Sequence, residues 1–326
     1  MVKDFQVGDK VEDVFGVHDI SLARYSSPKR AGEQYLRIIL GDHTGTIEGR
    51  MWDTPSALDV YRTIKAEDLV KVHGTVQEFN GMQINVSQCR KADSAKLDPA
   101  DFRPMSEKPL EQLWSEIEAK LSIIEKPYWQ ELLKKTEDEG FRRVAQYTPA
   151  GRQVHHNYGG GLLEHTLEVV SYCQHAFEIQ GKGMDKELLT MGAFFHDLGK
   201  IQEYDPNSFT FQMTDKAKLT GGHIVLGKDL ARRWMEDTAD FPEDKALALE
   251  HMILSHHGMG DWGSPVEPKT LEAITLHHAD LLSARINQAQ RVIGEKQTGK
   301  GRWTDYDRLL GRSLLVPFKE EEDQLF

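Results

Sequence analysis

Apolar and polar residues alternate along several short stretches in the first third of the chain. This period of two is typical of β-strands with one buried face. The alternation is clearest in four segments, 35–40, 46–52, 69–77 and 82–87. The turn-forming sequences GDHTG at 41–45 and Asn80-Gly81 lie between them, because Gly, Asp and Asn tolerate the backbone angles of tight turns. Residues 5–92 are therefore predicted to form a small barrel or sandwich of short strands.

The alternation assigns the side chains of the first two segments to two faces. One face is apolar and is predicted to point inward: Leu36, Ile38, Leu40, Ile47, Gly49 and Met51. The other face mixes aromatic and cationic side chains: Tyr35, Arg37, Arg50 and Trp52. Rings that stack on bases and cations that neutralise phosphates are the usual means of holding single-stranded nucleic acid. The alternative is that Trp52 packs beneath a loop and the two arginines are simply solvated.

The segment 21–32 is predicted to be a loop, and its charges support the nucleic-acid interpretation. It carries Arg24, Lys29 and Arg30 and no acidic residue, so positive charge is concentrated there. The arrangement resembles an OB-fold, whose second and third strands and first loop commonly form the ligand surface.

The pattern changes after residues 93–109, where Pro99, Pro104 and Pro109 stand among charged residues. Proline prevents a helix from running through, so this segment is predicted to be a linker. Beyond it, apolar residues recur at helical spacing, and the rest of the chain is predicted to be helical. The predicted divisions are a strand-rich domain, a linker with a helical connector, a helical domain and an acidic tail: 1–95, 96–145, 146–315 and 316–326.

Composition narrows the classes of function. Asp plus Glu outnumber Lys plus Arg by 52 to 40, so a polyanion would be repelled unless local positive charge or a metal ion receives it. The chain shows neither a signal-peptide core nor an apolar run of membrane-spanning length, which predicts a cytoplasmic protein without a membrane partner. Cys89 and Cys173 have no CxxC partner, so neither a disulfide framework nor a cysteine zinc site is indicated.

Ionisable residues occur among apolar ones in the helical part. His165 lies within the apolar stripe of a helix predicted from residue 162, and Asp280 shares a helix face with alanine and leucine. His196 and Asp197 follow an apolar stretch and are predicted to lie inside an apolar helix. Burying such groups without compensation costs several kcal/mol. They therefore need either dense hydrogen bonding or a metal ion.

The spacing of these residues favours the metal ion. His165, His196, His223, His256 and Asp280 follow one another at intervals that each suit one helix plus its loop. Neighbouring antiparallel helices could therefore project them into a shared interior. Each histidine alone would be an ordinary core or surface residue, but the ensemble predicts a metal site. Mixed imidazole and carboxylate donors suit Mn, Co, Fe, Ni or Zn without selecting among them.

Three motifs make the resemblance specific. The sequences GGLLEHT at 160–166, HDLGK at 196–200 and HHAD at 277–280 together resemble the HD phosphohydrolase superfamily, over roughly residues 150–290. The resemblance implies four ligands for a first divalent metal ion: His165, His196, Asp197 and Asp280. Members with a second ion add histidines between these motifs, which implies His223 and His256 as further ligands and Asp197 as a bridge. His257 would bind metal or contact a phosphate.

One or two such ions would lower the pKa of a bound water and polarise phosphoryl oxygens for attack. Lys200 either neutralises charge on the phosphate in the transition state or is a solvated lysine at a helix turn. Flanking residues are expected to contact substrate: His155, His156, Gly160, Gly161, Gly258 and His277.

An OB-like domain before an HD domain, joined through HHNYGGGLLEHT at 155–166, is similar to the YhaM-type 3′-to-5′ exoribonucleases of Gram-positive bacteria. The similarity covers almost the whole chain. It implies an enzyme that grips single-stranded RNA or DNA, uses Mn²⁺ or Co²⁺, releases nucleoside 5′-monophosphates and self-assembles into a homo-oligomer.

Two other functions are compatible with the same pattern. The first is hydrolysis of a small nucleotide, such as a cyclic dinucleotide, a dNTP or an alarmone, with the OB domain as a regulatory module. The absence of a GYP triplet after the His256-His257 pair argues against the cyclic-dinucleotide version. The second is a non-enzymatic nucleic-acid-binding adapter, which the complete set of histidines and aspartates argues against.

Overall fold

The N-terminal part of the protein is a closed five-stranded barrel. The computed structural model describes residues 1–25, 28–79, 81–93, 97–151, 156–295 and 302–316. The five strands are β1 (Lys10–Arg24), β2 (Gln34–Asp42), β3 (Gly45–Met51), β4 (Leu69–Glu78) and β5 (Met82–Lys91). They pair in the order β1-β2-β3-β5-β4, and β4 closes the barrel against β1. The pairs are antiparallel except for β3 with β5. This OB-like barrel confirms the predicted fold class.

The two faces predicted for β2 and β3 are confirmed. All six residues of the apolar face are buried: Leu36, Ile38, Leu40, Ile47, Gly49 and Met51. The predicted loop at 21–32 is partly wrong, because its first four residues continue β1 and pair with β2 through Arg24. A β-bulge between Val17 and Asp19 shifts the register of β1, which interrupts the simple alternation. Helix α1 (Thr54–Thr63) begins at the N-cap Asp53.

The remainder of the described chain is helical, as predicted. Ten helices follow: α2 (Leu110–Leu121), α3 (Pro127–Lys134), α4 (Glu139–Tyr147), α5 (Gly161–Gln180), α6 (Lys186–Phe195), α7 (Lys200–Glu203), α8 (Asp215–Thr220), α9 (Gly222–Glu236), α10 (Glu243–Ser255) and α11 (Leu271–Glu295). Side-chain oxygens of Asp138, Asp185 and Thr214 accept hydrogen bonds from the first turns of α4, α6 and α8. These caps satisfy amide groups that have no partner within the helix.

Helix α5 is central in this part and packs against α2, α4, α6 and α11. The prediction that His196 and Asp197 lie inside a helix is wrong. Helix α6 ends at Phe195, and both residues lie in the turn that joins α6 to α7. Gly199 permits this turn, because a Cβ there would come 2.0 Å from the carbonyl oxygen of His223. The close approach brings the turn against α9.

Glu67 joins the barrel to the helical part. Its carboxylate accepts hydrogen bonds from the backbone amides of Phe209 and Thr210, at 3.2 and 3.1 Å, and from the hydroxyls of Ser208 and Thr210. Glu67 has a φ of +72°, a conformation that is unfavourable for a side chain of this kind. The ring of Phe209 packs in a small apolar cluster with Leu69. We call this contact the Glu67 latch.

Two further predictions from the sequence concern membrane-spanning helices and the acidic tail. No helix among the described residues is both long and apolar enough to cross a bilayer. The predicted acidic tail lies outside the described residues apart from Val316.

Candidate metal centre

Seven side chains from five elements meet at one point of the helical part. His165 comes from α5, and Asp280 comes from α11. The other five lie at helix ends: His196 and Asp197 after α6, His223 in the first turn of α9, and His256 and His257 after α10. All of them were predicted from the sequence as candidate metal or catalytic residues, and the structure brings all of them together.

A first cluster consists of His165, His196 and Asp280, with one ligand atom from each lying within 4.8 Å of the others. The Nε2 atoms of His165 and His196 are 3.2 Å apart, and Asp280 Oδ1 lies 3.1 Å from His165 Nε2. Both imidazoles are fully buried.

A second cluster consists of His223, His256 and His257, and one ring nitrogen of each lies within 4.8 Å of the others. The structure therefore places His257 with the candidate ligands.

Asp197 lies between the two clusters. Its Oδ2 is 3.5 Å from His165 Nε2 and 3.4 Å from His196 Nε2. Its Oδ1 is 3.5 Å from His223 Nε2 and 3.7 Å from His256 Nε2. Each carboxylate oxygen therefore faces one cluster, which is the geometry of a bridging ligand.

Backbone carbonyls fix the orientation of three of these imidazoles. Their Nδ1 atoms lie 2.6 to 2.8 Å from carbonyl oxygens, in the pairs His196 with Ala193, His256 with Ile253 and His257 with Trp262. A carbonyl can only accept, so each Nδ1 carries the hydrogen. In the neutral ring, the Nε2 atom then keeps its lone pair and is free to bind a metal ion.

Side chains orient two more imidazoles, and these side chains were not predicted from the sequence. Ser283 donates its hydrogen to Glu168 at 2.7 Å, so its oxygen accepts the Nδ1–H of His165 at 2.8 Å. The carboxylate of Glu203 accepts the Nδ1–H of His223 at 3.2 Å. Serine and glutamate are common on helices, and only the packing of α5 against α11 and of α7 against α9 reveals these partners.

The donor set suits a divalent cation. His165 and His196 direct lone pairs at each other across 3.2 Å in a buried space, which is repulsive unless a cation or a proton lies between them. Asp197 Oδ1, His223 Nε2 and His256 Nε2 are buried without a hydrogen-bond partner in the described part of the chain. Each such atom costs about 1–3 kcal/mol when it is left unsatisfied. Cations held by these nitrogens and oxygens would satisfy all of them.

Burial and charge hold most of the ligands in the state that binds metal. Burial lowers the pKa of His165 and takes that of His256 well below its ordinary value. Burial opposes ionisation of Asp197, but Lys200 and His196 outweigh it and hold its pKa well below the usual range. His196 differs, because Asp197 raises its pKa against the effect of burial. A neutral imidazole and an ionised carboxylate are the forms that bind metal.

Lys200 is not solvated. It is the first residue of α7 and only 5% exposed. Its ammonium group lies 2.5 Å from Asp197 Oδ2 and also donates to the carbonyl of Ala150. The alternative of a solvated lysine is therefore wrong, and the positive charge of Lys200 faces the bridging carboxylate.

Three of the six expected substrate contacts, His156, Gly258 and His277, lie beside this centre. His277 donates through Nδ1 to the carbonyl of His256 at 2.8 Å. Gly258 has a φ of +81°, and a Cβ there would come 2.2 Å from His277 Cε1. His156 is buried, with its ring centre 5.5 Å from that of His165. His155 lies outside the described residues.

Gly160 and Gly161 are explained by packing within the protein. Gly160 has a φ of +85°, and a Cβ there would come 2.6 Å from Leu110 Cδ2. A Cβ at Gly161 would come 2.1 Å from the carbonyl oxygen of His156. The predicted approach to a ligand is therefore replaced by an approach to the protein's own atoms at the start of α5.

The aromatic and cationic side chains of the barrel form one group on its outer side. The rings of Tyr35 and Trp52 lie 4.6 Å apart between centres, and Tyr25, which the sequence did not single out, lies 5.2 Å from Tyr35. The guanidinium of Arg30 stacks 3.6 Å above Tyr25, and that of Arg50 lies 5.6 Å from Trp52. Trp52 therefore packs in an aromatic group with Tyr35 and Tyr25, and its carbonyl accepts hydrogen bonds from Tyr25 and Arg30 of the loop after β1. Arg24 and Lys29 are exposed nearby in the chain.

Glu48 modifies this surface and was also missed. It lies 2.8 Å from Arg37 Nε and 2.5 Å from Arg50 Nε. The two arginines are therefore neither singly solvated nor wholly available to phosphates.

Comparison with protein families agrees with this architecture. The model described as an OB-fold nucleic acid binding domain matches residues 17–92, and the HD domain model matches residues 162–285. A helicase family model matches residues 99–184. The protein therefore carries an OB-fold nucleic-acid-binding domain followed by an HD domain. The HD domain indicates a metal-dependent phosphohydrolase, and the pair supports a hydrolase related to nucleic acids.

Several solved structures are similar over part of the chain. A Replication Protein A heterotrimer bound to ssDNA matches at 22% identity over 28% of this chain and 63% of that one, with a TM-score of 0.20. Asparaginyl-tRNA synthetase from Entamoeba histolytica matches at 11% identity over 39% and 36%, with a TM-score of 0.25. The enzyme from Pyrococcus horikoshii matches at 14% identity over 41% and 33%, with a TM-score of 0.22. This chain spans less than two thirds of the length of each.

Proposed function

We propose that this protein is a metal-dependent 3′-to-5′ exonuclease that hydrolyses single-stranded RNA, or DNA, to nucleoside 5′-monophosphates. The observation that carries the proposal is the position of Asp197, which directs one oxygen to each of two histidine clusters. The same chain presents an aromatic and cationic surface on its barrel. A centre for phosphodiester hydrolysis and a surface for single strands are thus combined.

In this proposal two divalent ions share the centre. His165, His196, Asp197 and Asp280 would hold the first ion. Asp197, His223, His256 and His257 would hold the second. Mn²⁺ or Co²⁺ are the proposed ions, and Fe, Ni or Zn fit the same donors. When bound, such ions lower the pKa of a coordinated water and polarise the phosphoryl oxygens.

The residues around the ligands prepare the centre for this chemistry. Hydrogen bonds at Nδ1 hold each ring in one orientation, so the ligands do not need to reorganise when metal binds. Lys200 keeps Asp197 ionised and is proposed to compensate negative charge that develops on the phosphate. His277, held against the carbonyl of His256, is proposed to contact the substrate beside the first cluster.

The barrel is proposed to hold the strand that is being degraded. Tyr25, Tyr35 and Trp52 offer rings on which bases can stack, and each stacked base is worth about 1–3 kcal/mol. Arg30, together with the exposed Arg24 and Lys29, supplies positive charge to a protein with a net charge of −12. Self-assembly and a cytoplasmic location stay predictions from the sequence.

A second candidate is hydrolysis of a free nucleotide, with the barrel in a regulatory role. One observation favours it, since the cavity beside the first cluster has a volume of about 380 Å³. Such a cavity would take a single nucleotide.

One experiment separates the two candidates. The purified protein is incubated with 5′-labelled single-stranded RNA or DNA, and separately with free nucleotides, across a panel of divalent metals. A ladder that shortens from the 3′ end supports the exonuclease. Turnover of free nucleotides alone supports the second candidate, and binding of the strand without cleavage supports an adapter.

The Asp197→Ala variant tests the proposed mechanism in the same assay. Hydrolysis should be abolished, because both clusters lose their shared carboxylate, while binding of RNA to the barrel survives. Asp215→Ala removes an exposed carboxylate that pairs with Lys218 and serves as the control. Hydrolysis at the wild-type rate in Asp197→Ala would refute the mechanism.

A further inference from the structure

A cavity opens directly beside the first cluster. Its volume is about 380 Å³, at the lower end of the range of about 300–1,000 Å³ for small-molecule sites. Asp197, His277 and Asp280 form the wall on the side of the metal centre. Leu281 and Ala284, which follow Asp280 along α11, and Leu309 provide the apolar part of the lining.

Leu309, from the segment 302–316, lines this cavity beyond Asp280 along α11. Arg285 on α11 donates through Nη1 to the carbonyl of Leu309 at 3.0 Å and to Gln288 Oε1 at 3.2 Å. The amide of Gln288, which is fully buried, donates to Asp307 Oδ1 at 3.3 Å. Backbone bridges between Trp303 and Leu315 and between Asp307 and Arg312 give the segment its own shape. The backbone at Leu309 is therefore held beside α11, and its side chain, 55% exposed, stands at that end of the cavity.

The chemistry of the walls changes along the cavity. The carboxylates and the imidazole of His277 lie where a phosphate would meet the metal centre, and the apolar side chains lie beyond them. Trp262 stands at the rim, 44% exposed, with its ring centre 6.2 Å from that of His277. An exposed indole of this kind can stack on a nucleobase. The lining therefore matches a nucleotide whose phosphate lies at the metal centre and whose sugar and base lie beside the apolar residues.

We infer that this cavity is the subsite for the last nucleotide of the strand, and that Leu309 limits the product to one nucleotide. The inference rests on the proposed exonuclease function. In the reaction, the oxygen of water bonds to the terminal phosphorus and the bond from phosphorus to the O3′ of the preceding nucleotide breaks. That O3′ takes up a proton, and the nucleotide in the cavity leaves as its 5′-monophosphate. A longer 3′ segment would collide with Leu309.

Two variants of the cavity and one control test the inference in the full-length, Mn²⁺-loaded protein. Leu309→Ala opens the end wall, and Leu309 is exposed enough for the change to be tolerated by the fold. Ala284→Phe fills the cavity, and circular dichroism verifies that this variant is folded. Leu315→Ala removes an exposed leucine of the same segment that does not line the cavity.

Two measurements are made on each protein. The first is the length of the initial products released from 3′-labelled single-stranded RNA. The second is the affinity for AMP, by calorimetry. Leu309→Ala should release dinucleotides together with mononucleotides, and Ala284→Phe should bind AMP about tenfold more weakly, which is the scale of a misfit in an apolar pocket. Leu315→Ala should match the wild type in both.

The outcomes distinguish this inference from the proposed function. Mononucleotides alone from Leu309→Ala would overturn the end wall, and unchanged AMP affinity in Ala284→Phe would overturn the subsite. A wild-type protein that cleaves no strand refutes the exonuclease function, and the AMP affinities still decide the subsite.

Discussion

Ser283 has a single hydrogen to give, and Glu168 receives it. Its oxygen can therefore only accept from His165, which leaves the Nε2 of His165 directed at His196 and Asp280. A neutral residue on α11 thus determines which nitrogen of a buried imidazole on α5 is available. Partners of this kind set both the orientation and the basicity of a ligand.

Replacing Ser283 with alanine should weaken metal binding without removing a ligand. The ring of His165 would lose the acceptor for its Nδ1–H, and the expected loss of affinity is about 10- to 100-fold. Titration with Co²⁺, followed by its visible absorption, measures the change. Thr275→Ala is the matched control on the same helix, since the Thr275 hydroxyl donates mainly to the carbonyl of Leu271. Equal Co²⁺ affinity in the two variants would contradict the role of Ser283.

The sequence predicted the central residues of the centre but not those that support them. His165 could be predicted to face inward because the helix period places it in an apolar stripe. Ser283 and Glu203 could not, because each acts on a histidine of another helix, and no periodicity relates residues on different helices. The contact of Lys200 with Asp197 could not be predicted either, because a lysine that follows a glycine at the start of a helix is usually solvated.

Strand β3 carries an acidic residue that limits the positive charge available on the barrel surface. On β3, Glu48 lies between Arg37 and Arg50. Burial opposes its ionisation, but the two arginines outweigh burial and lower the pKa of Glu48 from its ordinary value of 4.5. Glu48 is therefore ionised at neutral pH and competes with phosphates for both arginines.

Glu48→Gln should bind single-stranded RNA more tightly than the wild type and with a steeper salt dependence. Each additional phosphate contact adds about 0.7 to the slope of log affinity against log salt. Because the lowered pKa keeps Glu48 ionised, mild acid at about pH 5 should not reproduce the effect in the wild type. Glu12→Gln, which removes the partner of Lys71 elsewhere on the barrel, is the control. Fluorescence anisotropy across a salt series measures the slope for each protein. An unchanged slope in Glu48→Gln would contradict the prediction.

In the loop after α10, Gly258→Ala should reduce hydrolysis strongly. Its φ of +81° disfavours alanine, and the added Cβ would meet the ring of His277 at 2.2 Å, which displaces His277 or the adjoining His257. Gly260→Ala is a matched control two residues away, where a Cβ meets nothing within 4 Å. Steady-state rates on RNA measure both variants. Similar rates for the two would show that the loop tolerates the displacement.

The elements were predictable to different degrees. Strands β2 and β3 follow from alternation because one side faces the barrel interior throughout. Strand β1 was not among the four predicted segments, because its bulge between Val17 and Asp19 breaks the period of two. The prediction extended helix α6 beyond its observed end at Phe195. Leu198 continues the apolar pattern, although the backbone turns at His196.

Metal binding should stabilise the folded state of the protein. The buried, unsatisfied atoms of Asp197, His223 and His256 make the metal-free fold less stable than the loaded one. A ligand that binds only the folded state at 100 times its dissociation constant adds about 2.7 kcal/mol. The melting temperature should therefore rise with Mn²⁺ and fall with a chelator. In His223→Ala this dependence should be weaker, and a full wild-type response there would count against the second cluster.

The Glu67 latch matters when the barrel is expressed without the helical part. Separation of the barrel from the helices would strip the Glu67 carboxylate of its donors and leave the unfavourable backbone at that residue uncompensated. Phe209 would likewise lose its apolar neighbours. An excised barrel is therefore expected to be a weaker module than its closed sheet suggests, and the two parts should melt together as one cooperative unit.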